Sequence, residues 1–557
     1  MSTDAPPARP EDPHASPPPA RDGDPYAGRP RPVRLTWVQP EDLVGHELRQ
    51  AALDGRDARE IEARWYAAGG APAPARAGAS EPPAPPHLRA LAGRLLDELA
   101  ALPSPSAADE PTDLAAVVAA CPRWPGPPEA GTGAAGRGGA AGAGRDRAPA
   151  APHRPPVSGQ DGTACGDRRG APASGRGGPP GNGRDRLPVT ARDEAPAPGQ
   201  GPPPAVTHAR LHAAWLGRAA GCLLGKPVEK LPLDGVRALA RATGNWPLAT
   251  WFTEHGVPAA LLAAYPWNRR SAPTSLAENI DGMPEDDDLN HPLLTLLLLQ
   301  RHGRAFTTAD LARLWLDELP AGRTFTAERI AYGHLLAGVE PPETARRRNP
   351  FREWIGAQIR ADAHGWTHPG DPAGAAAQAH RDAVLTHTGN GVYGAMFTAA
   401  ALAVAAGGGS DVHGCLAAGL RVVPPRSRYA RAIRFGIETA RTTREFDAVV
   451  DRLHAAYDST HHWVHVLPNA ALLAAALTHA DGDFTRSIGN AVSGGWDTDS
   501  NGATAGSLAG LLAGTPDALP HHWTAPLKNR LATSVPGFHR TGFDTLAALT
   551  LQEALRP

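Results

Sequence analysis

The sequence has few cysteines, no long hydrophobic run and almost no net charge, and each absence excludes a class of protein. Its four cysteines lie far apart without a Cys-x-x-Cys pair, which argues against a disulfide framework or a zinc ribbon and suits a reducing cytoplasm. The aliphatic run 293–299 is far shorter than the roughly 20 residues of a membrane span. The net charge of −2 predicts no nucleic-acid surface, and the N-terminus lacks the apolar segment of a secretory signal. We therefore expect a cytoplasmic protein without membrane or nucleic-acid partners.

Composition divides the 557 residues into four parts. Residues 1–30 are rich in Pro and Asp and predict a disordered tail. Residues 126–206 consist mostly of Gly, Ala, Pro, Arg and Asp, which predicts a flexible linker. Residues 207–557 are a series of Ala- and Leu-rich segments with helical spacing, so we expect a compact all-α, multi-helix domain that folds and acts without the rest. Residues 31–125 predict a small helical region, with helical periodicity at Glu41–Leu53, Asp57–Ala67 and His87–Leu102.

An acidic run, Glu285-Asp286-Asp287-Asp288, precedes the Leu-rich helix that we predict at 293–299. Acidic residues favour the first turn of a helix because of the helix dipole, which explains one or two of them as a solvated cap. If the run is partly buried, neighbouring carboxylates repel each other by about 4 kcal/mol at an effective dielectric constant of about 20. A hard cation, Mg²⁺ or Ca²⁺ rather than zinc, would offset that repulsion. The acidic run alone does not decide between a helix cap and a metal site.

A second acidic group lies in Gly494-Gly495-Trp496-Asp497-Thr498-Asp499-Ser500. The paired glycines permit a turn on which two aspartates and a hydroxyl converge on one ion, although Asp499 or Ser500 could simply cap the next helix. That helix, 502–514, has glycine at every fourth position. Each glycine inside a helix costs about 1 kcal/mol relative to alanine, so the stripe predicts a backbone packed very close to it and a buried acidic turn.

Four segments, in this order, resemble the ADP-ribosylglycohydrolase family, which includes the dinitrogenase reductase-activating glycohydrolases. The family pattern opens with G-x-x-x-G-D-A-x-G-x-P-x-E and continues through T-D-D-T to a late G-G-D-T-D-T/S. The corresponding segments here are Gly217–Glu229, Asp286–Leu289, the Gly389-Asn390-Gly391 loop and Asp497–Ser500. The resemblance covers about residues 211–515.

The resemblance implies an all-α fold with two Mg²⁺ ions at its centre, for which Mn²⁺ can substitute. The implied metal ligands are Asp286, Asp287, Asp288, Asp497, Asp499 and Ser500. Glu229, Asp287 and Asp499 would be catalytic, while Gly389, Asn390 and Gly391 would contact the substrate. The implied reaction is hydrolysis of the glycosidic bond between ADP-ribose and its acceptor, and the implied partner is an ADP-ribosylated protein or an ADP-ribose-containing small molecule.

Three residues depart from the family pattern. Asp286 stands where the family has Thr, so it keeps an oxygen ligand and adds a charge. Leu289 replaces the second Thr, and Cys222 replaces the opening Asp. None of these changes removes an expected metal ligand, so we expect an active enzyme. The acceptor linkage stays open, as do a non-catalytic ADP-ribose-binding protein and a hydrolase of another N- or O-glycoside.

Overall fold

The computed structural model describes residues 38–74, 77–79, 84–126 and 206–556. The predicted tail at 1–30 lies outside these residues, and so does the predicted linker apart from its end residues Gly126 and Val206. Within the described ranges the regular structure is helical and no strand occurs. The all-α prediction is therefore confirmed.

The described N-terminal part contains four helices, and three of them match predicted segments to within two residues. Asp113 caps the fourth helix, since its carboxylate accepts a hydrogen bond from the backbone N–H of Ala116 at 3.1 Å. The four helices are α1 (Pro40–Leu53), α2 (Arg59–Ala67), α3 (Pro86–Ala101) and α4 (Leu114–Ala120).

Residues 206–556 form a larger helical assembly around several almost fully buried helices. Its helices are α5 (His208–Gly225), α6 (Leu233–Ala242), α7 (Ala259–Ala264), α8 (Ala272–Ser275), α9 (Asp287–His302), α10 (Thr308–Glu318), α11 (Thr326–Leu336), α12 (Glu343–Arg346), α13 (Asp362–Trp366), α14 (Pro372–Ala383), α15 (Gly389–Gly407), α16 (Val412–Arg421), α17 (Arg428–Thr442), α18 (Phe446–Tyr457), α19 (Val466–Ala480), α20 (Phe484–Ser493), α21 (Thr498–Ala513), α22 (His521–Thr524) and α23 (Phe543–Leu555). Among the described helices, α15 is long and apolar enough to cross a membrane, but 94% of its apolar window is buried inside the protein.

Glycines bring α5 and α21 into direct backbone contact. A Cβ atom added to Gly221 would collide with the carbonyl oxygen of Gly502, and one added to Gly502 would collide with the carbonyl oxygen of Gly221. A Cβ atom added to Gly217 would collide with the carbonyl oxygen of Gly506, and the reverse also holds, one helical turn further along. The predicted close approach at the glycine stripe is therefore confirmed, and it places the start of α21 inside the protein.

The N-terminal helices share their hydrophobic core with the larger assembly. Leu43, Val44 and Leu95 of α1 and α3 form one buried cluster with Phe351 and Trp354. Separately, Val117 and Cys121 at α4 belong to the main core of the larger assembly. This packing argues against our expectation that residues 207–557 fold and act alone, while the boundaries at 30, 125 and 206 stay predictions.

Four carboxylates and three arginines join the two parts by ion pairs. Arg352 contacts Glu47 and Asp54, both at 2.8 Å. Arg428 contacts Glu110 at 2.7 Å and also reaches Asp54 and Glu353. Arg56 completes the group at 2.7 Å from Glu47. We call this group the interface cluster: Glu47, Asp54, Glu110 and Glu353 with Arg56, Arg352 and Arg428.

Candidate metal centre

The acidic run lies at the start of α9, which begins at Asp287, six residues before the predicted Leu-rich segment. Pro292 lies within the helix without ending it. Asp286 is the N-cap residue, since its Oδ1 atom accepts a hydrogen bond from the backbone N–H of Asp288 at 2.9 Å. Asp286 is therefore a cap residue, as one interpretation had it, but a buried one rather than a solvated one, and Asp287 and Asp288 lie in the first turn.

The second acidic group lies at the start of α21. Gly495, with φ of 75°, adopts the left-handed conformation that favours glycine, and the chain then enters the helix at Thr498. Thr498 donates its hydroxyl hydrogen to the carbonyl oxygen of Gly225 at 2.8 Å, which ties α21 to the end of α5. Asp499 and Ser500 lie in the first turn of α21 rather than at its cap.

The two acidic groups meet where α5 ends and α9 and α21 begin. The Ser500 hydroxyl donates to Asp288 Oδ2 at 3.3 Å, and the negative charge of Asp499 contributes to raising the pKa of Asp497, after burial. Potential ligand atoms of Cys222, Asp286 and Asp288 lie within 4.8 Å of one another. We call the six carboxylates of this region the central acidic cluster: Glu229, Asp286, Asp287, Asp288, Asp497 and Asp499.

Burial in the central acidic cluster is deep but incomplete. Asp288 is 1% exposed, and Asp286, Asp497 and Asp499 are 6–8% exposed. Asp287 and Glu229 are half-buried, so the cluster is accessible to solvent on their side.

Two cations in this region were missed by the sequence analysis. The Lys226 ammonium forms an ion pair with Asp286. Arg218 is fully buried and donates to Asp288 Oδ1 at 3.2 Å, to the Asp288 carbonyl at 2.7 Å and to Asp362 at 2.7 Å. The one signal in the sequence is their spacing, since residues 218 and 222 of α5 and Lys226 directly after it lie one turn apart on one side. That spacing indicates a shared face but not what the face contacts.

These protein cations neutralise the cluster unevenly. Lys226 holds the pKa of Asp286 below its ordinary value although burial opposes this. Burial, reinforced by neighbouring negative charges, raises the pKa of Asp287, Asp288, Asp497 and Asp499. Burial and then the charges of Asp286 and Asp288 also raise the pKa of the Cys222 thiol, which lies 4.0 Å from Asp288 Oδ2. Oxygen ligands with unneutralised negative charge suit a hard divalent cation.

Glu229 lies at the edge of the central acidic cluster, just after the end of α5. Its carboxylate accepts hydrogen bonds from Asn268 Nδ2 at 2.9 Å and from Lys230 Nζ at 2.6 Å. Burial, and after it the negative charge of Asp499, raises the pKa of Glu229 to about 7. These contacts fix the orientation of a carboxylate that remains half-buried, a suitable arrangement for proton transfer.

The predicted substrate loop forms the start of α15 and lies beneath the N-terminal part. The Gly389 N–H donates to Thr112 Oγ1 at 3.0 Å, and the Gly391 N–H donates to the Thr388 carbonyl at 3.1 Å. Asn390 donates from its side chain to Glu353 at 2.8 Å and accepts from the Tyr429 N–H at 2.9 Å. Protein groups thus already bind the polar atoms of the loop, and its contact with substrate stays a prediction.

Asn469 provides a polar connection from the central acidic cluster toward this loop. Its Oδ1 atom accepts from the Asp497 N–H at 3.2 Å and from Asn501 Nδ2 at 2.7 Å, while its Nδ2 atom donates to the His465 carbonyl at 2.9 Å. His465 in turn lies 3.9 Å from Glu353, which binds Asn390. The sequence analysis did not predict this role of Asn469, because its partners are distant in sequence.

Comparisons with known proteins place the chain in a family. No curated protein matches the chain. Solved structures that match include one described as an ADP-ribosylglycohydrolase-related protein complex, with 20% sequence identity, a TM-score of 0.39, and coverage of 62% of this chain and 99% of the other. The sequence model of the ADP-ribosylglycohydrolase family matches residues 203–555, more than half of the chain. The chain therefore belongs to the ADP-ribosylglycohydrolase family and is a hydrolase of that type.

Proposed function

We propose that this protein hydrolyses the glycosidic bond between ADP-ribose and an acceptor, and that it requires a hard divalent cation, Mg²⁺ or in its place Mn²⁺. The supporting observation is that the two acidic groups meet at the starts of α9 and α21, where Ser500 donates to Asp288 at 3.3 Å. Burial and like charges there raise the pKa of Asp287, Asp497 and Asp499. The resemblance implies two ions, held by the six ligands predicted above.

In this proposal Asp287, Asp497 and Asp499 would be among the residues that hold the cation, and the cation would supply positive charge to orient the ribose hydroxyls and a water. Glu229 accepts a proton from the water that attacks C1 of the ribose, while positive charge develops at C1. The bond from C1 to the acceptor breaks, its electron pair passes to the acceptor, and the acceptor takes up a proton from solvent. The Asn268 and Lys230 hydrogen bonds hold the Glu229 carboxylate in place for this step. The negative charge of Asp499 favours the oxocarbenium-like centre over the neutral substrate.

The substrate contact of Gly389, Asn390 and Gly391 belongs to the same proposal. Backbone N–H groups at the start of a helix suit a diphosphate, because they donate hydrogen bonds and carry the positive end of the helix dipole. The Gly389 N–H is already bound to Thr112. Diphosphate binding at this N–H would therefore replace that hydrogen bond, which requires the segment around Thr112 to move. The cytoplasmic location expected from the cysteines remains a prediction.

The test is to incubate the full-length protein with ADP-ribosylated arginine, ADP-ribosylated serine and O-acetyl-ADP-ribose, and to measure released ADP-ribose. We expect release from at least one substrate with Mg²⁺ or Mn²⁺, none in EDTA, and no recovery with zinc. Full activity in chelator would refute the cation requirement. Tight binding of ADP-ribose without release from any of the three substrates would support the non-catalytic alternative.

A further inference from the structure

Helix α5 carries a row of functional side chains beside its row of glycines. Arg218, Cys222 and Lys226 follow one another at four-residue intervals and face the acidic run at the start of α9. Residues at this spacing lie one above another on a helix. The three side chains therefore contact two aspartates of the acidic run, Asp288 and Asp286.

Both carboxylate oxygens of Asp286 are occupied by protein donors. Its Oδ1 atom accepts the backbone N–H of Asp288 at 2.9 Å, and its Oδ2 atom pairs with Lys226 Nζ. Lys226 is 6% exposed, and its ammonium also lies 3.4 Å from the Glu285 carbonyl. The charge added by Asp at the position of the family's Thr is thus neutralised by a lysine one helix away.

Asp288 is held in a similar way at the other end of the acidic run. Arg218 contacts its Oδ1 atom at 3.2 Å, and Ser500 donates to its Oδ2 atom at 3.3 Å. The neutral Cys222 thiol lies 4.0 Å from the same Oδ2 atom, where the family pattern has a carboxylate. Arg218 and Lys226 therefore account for the two outer aspartates, and Asp287, Asp497 and Asp499 remain for a metal ion.

We infer that the Lys226 ammonium takes the place of one of the two ions, so that this centre binds a single divalent cation, with carboxylates other than Asp286 as its ligands. A second cation at Asp286 would have to displace the ammonium from a buried carboxylate or lie beside a charge of its own sign. The inference rests on the proposed function in one respect, namely that the central acidic cluster binds metal.

The test counts Mn²⁺ ions bound to the full-length protein, by isothermal titration calorimetry and by electron paramagnetic resonance. We expect one ion per wild-type chain and the spectrum of an isolated Mn²⁺. The double variant Lys226→Ala, Asp286→Thr restores the family's residue and removes the ammonium. For that variant we expect two ions and the spectrum of a spin-coupled pair.

Lys230→Ala is the matched control, because Lys230 also pairs with a carboxylate of the cluster but is exposed and contacts Glu229. We expect this variant to keep one ion.

Two ions in the wild type would overturn the inference and leave the proposed function standing. One ion in the double variant, with wild-type circular dichroism, would also overturn the role of Lys226. No bound Mn²⁺ in the wild type would count against the proposed function as well. The wild-type count decides the number of ions even if the double variant does not fold.

Discussion

The central acidic cluster and the interface cluster are both rich in buried carboxylates, but they differ in how their charge is balanced. In the interface cluster three guanidinium groups contact the four carboxylates. In the central acidic cluster Arg218, Lys226 and Lys230 contact three of the six carboxylates. For Asp287, Asp497 and Asp499 the described residues show no ion pair.

The pKa values reflect this difference. Burial alone would raise the pKa of Asp54 and Glu110, yet the neighbouring arginines hold both below their ordinary values. Glu353 is the exception in the interface cluster, because burial raises its pKa although Arg428 opposes this. In the central acidic cluster, burial and like charges raise the pKa of Asp287, Asp497 and Asp499. A structural role is enough to explain a cluster whose charges balance, because removing one partner would leave an unpaired charge buried. An unbalanced cluster points to a cation that the chain itself does not supply.

Removing residues 1–126 takes away three of the four carboxylates of the interface cluster and should have the largest effect. It would expose Phe351 and Trp354, which are now 1% and 3% exposed, and would leave Arg352 and Arg428 without most of their partners. Burial of a large apolar side chain contributes about 1.5–3 kcal/mol, so we expect a loss of more than about 5 kcal/mol in the free energy of unfolding.

Urea denaturation of the truncated and full-length proteins measures this loss. A truncated chain with the stability and activity of the whole protein would restore the expectation of an independent domain at 207–557.

Arg428→Met should cost about 3 kcal/mol of stability, because it leaves Asp54, Glu110 and Glu353 short of a cation in a largely buried place. The control is Arg426→Met, two residues earlier, where the arginine is 77% exposed and pairs with Asp109. An exposed pair contributes at most about 1 kcal/mol. Thermal unfolding of both variants should separate them clearly, and equal losses would show that the interface cluster contributes no more than a surface ion pair.

Asp287→Asn and Asp499→Asn should lower turnover by about 100-fold or more with Mg²⁺, because each removes a proposed ligand. In EDTA the same variants should be more stable than the wild type, since each relieves repulsion within the central acidic cluster. A solvated helix cap predicts little change in rate and a loss of about 1 kcal/mol at most. Lower stability in EDTA, or turnover near that of the wild type, would therefore speak against a metal centre.

Lowering the pH should weaken the interface cluster, with a smaller loss in the free energy of unfolding than the changes above. Since the folded-state pKa of Glu110 is lowered, its contribution to stability is present above the unfolded-state pKa near 4 and is lost as the pH falls through the folded-state value. Glu110→Gln should cost about 1 kcal/mol at pH 7, and its difference from the wild type should shrink toward zero below about pH 4. A constant difference across urea titrations from pH 7 to pH 3 would contradict this charge-based role.

Local patterns predicted the helices and the acidic groups because their signals are contained in short stretches of chain. The periodicity at Glu41–Leu53 fixed α1 to within one residue, and the glycine spacing at 502–514 predicted the contact with another backbone. The start of α9 was predicted six residues too late because the prediction followed the leucine run, whereas the helix begins at Asp287 and continues through Pro292.

Long-range partners could not be predicted from a single sequence. Lys226 meets an aspartate 60 residues away, and Thr112 meets Gly389 across 277 residues. Four-residue spacing shows which side chains share a face of α5, but it does not tell what that face meets. The helical periodicity of 31–125 likewise gave no sign that Glu47 and Asp54 are partners of Arg352.

The backbone contact between α5 and α21 also determines when the centre can form during protein synthesis. The hydrogen bond from Thr498 to the Gly225 carbonyl spans 273 residues. At roughly 5–20 residues per second, a ribosome needs about 14–55 s to make that stretch. During this time α21 has not been made, so the glycines of α5, Arg218 and Lys226 lack their partner helix. Cation loading therefore has to follow the emergence of α21 from the ribosome, and the nascent chain has no active centre before then.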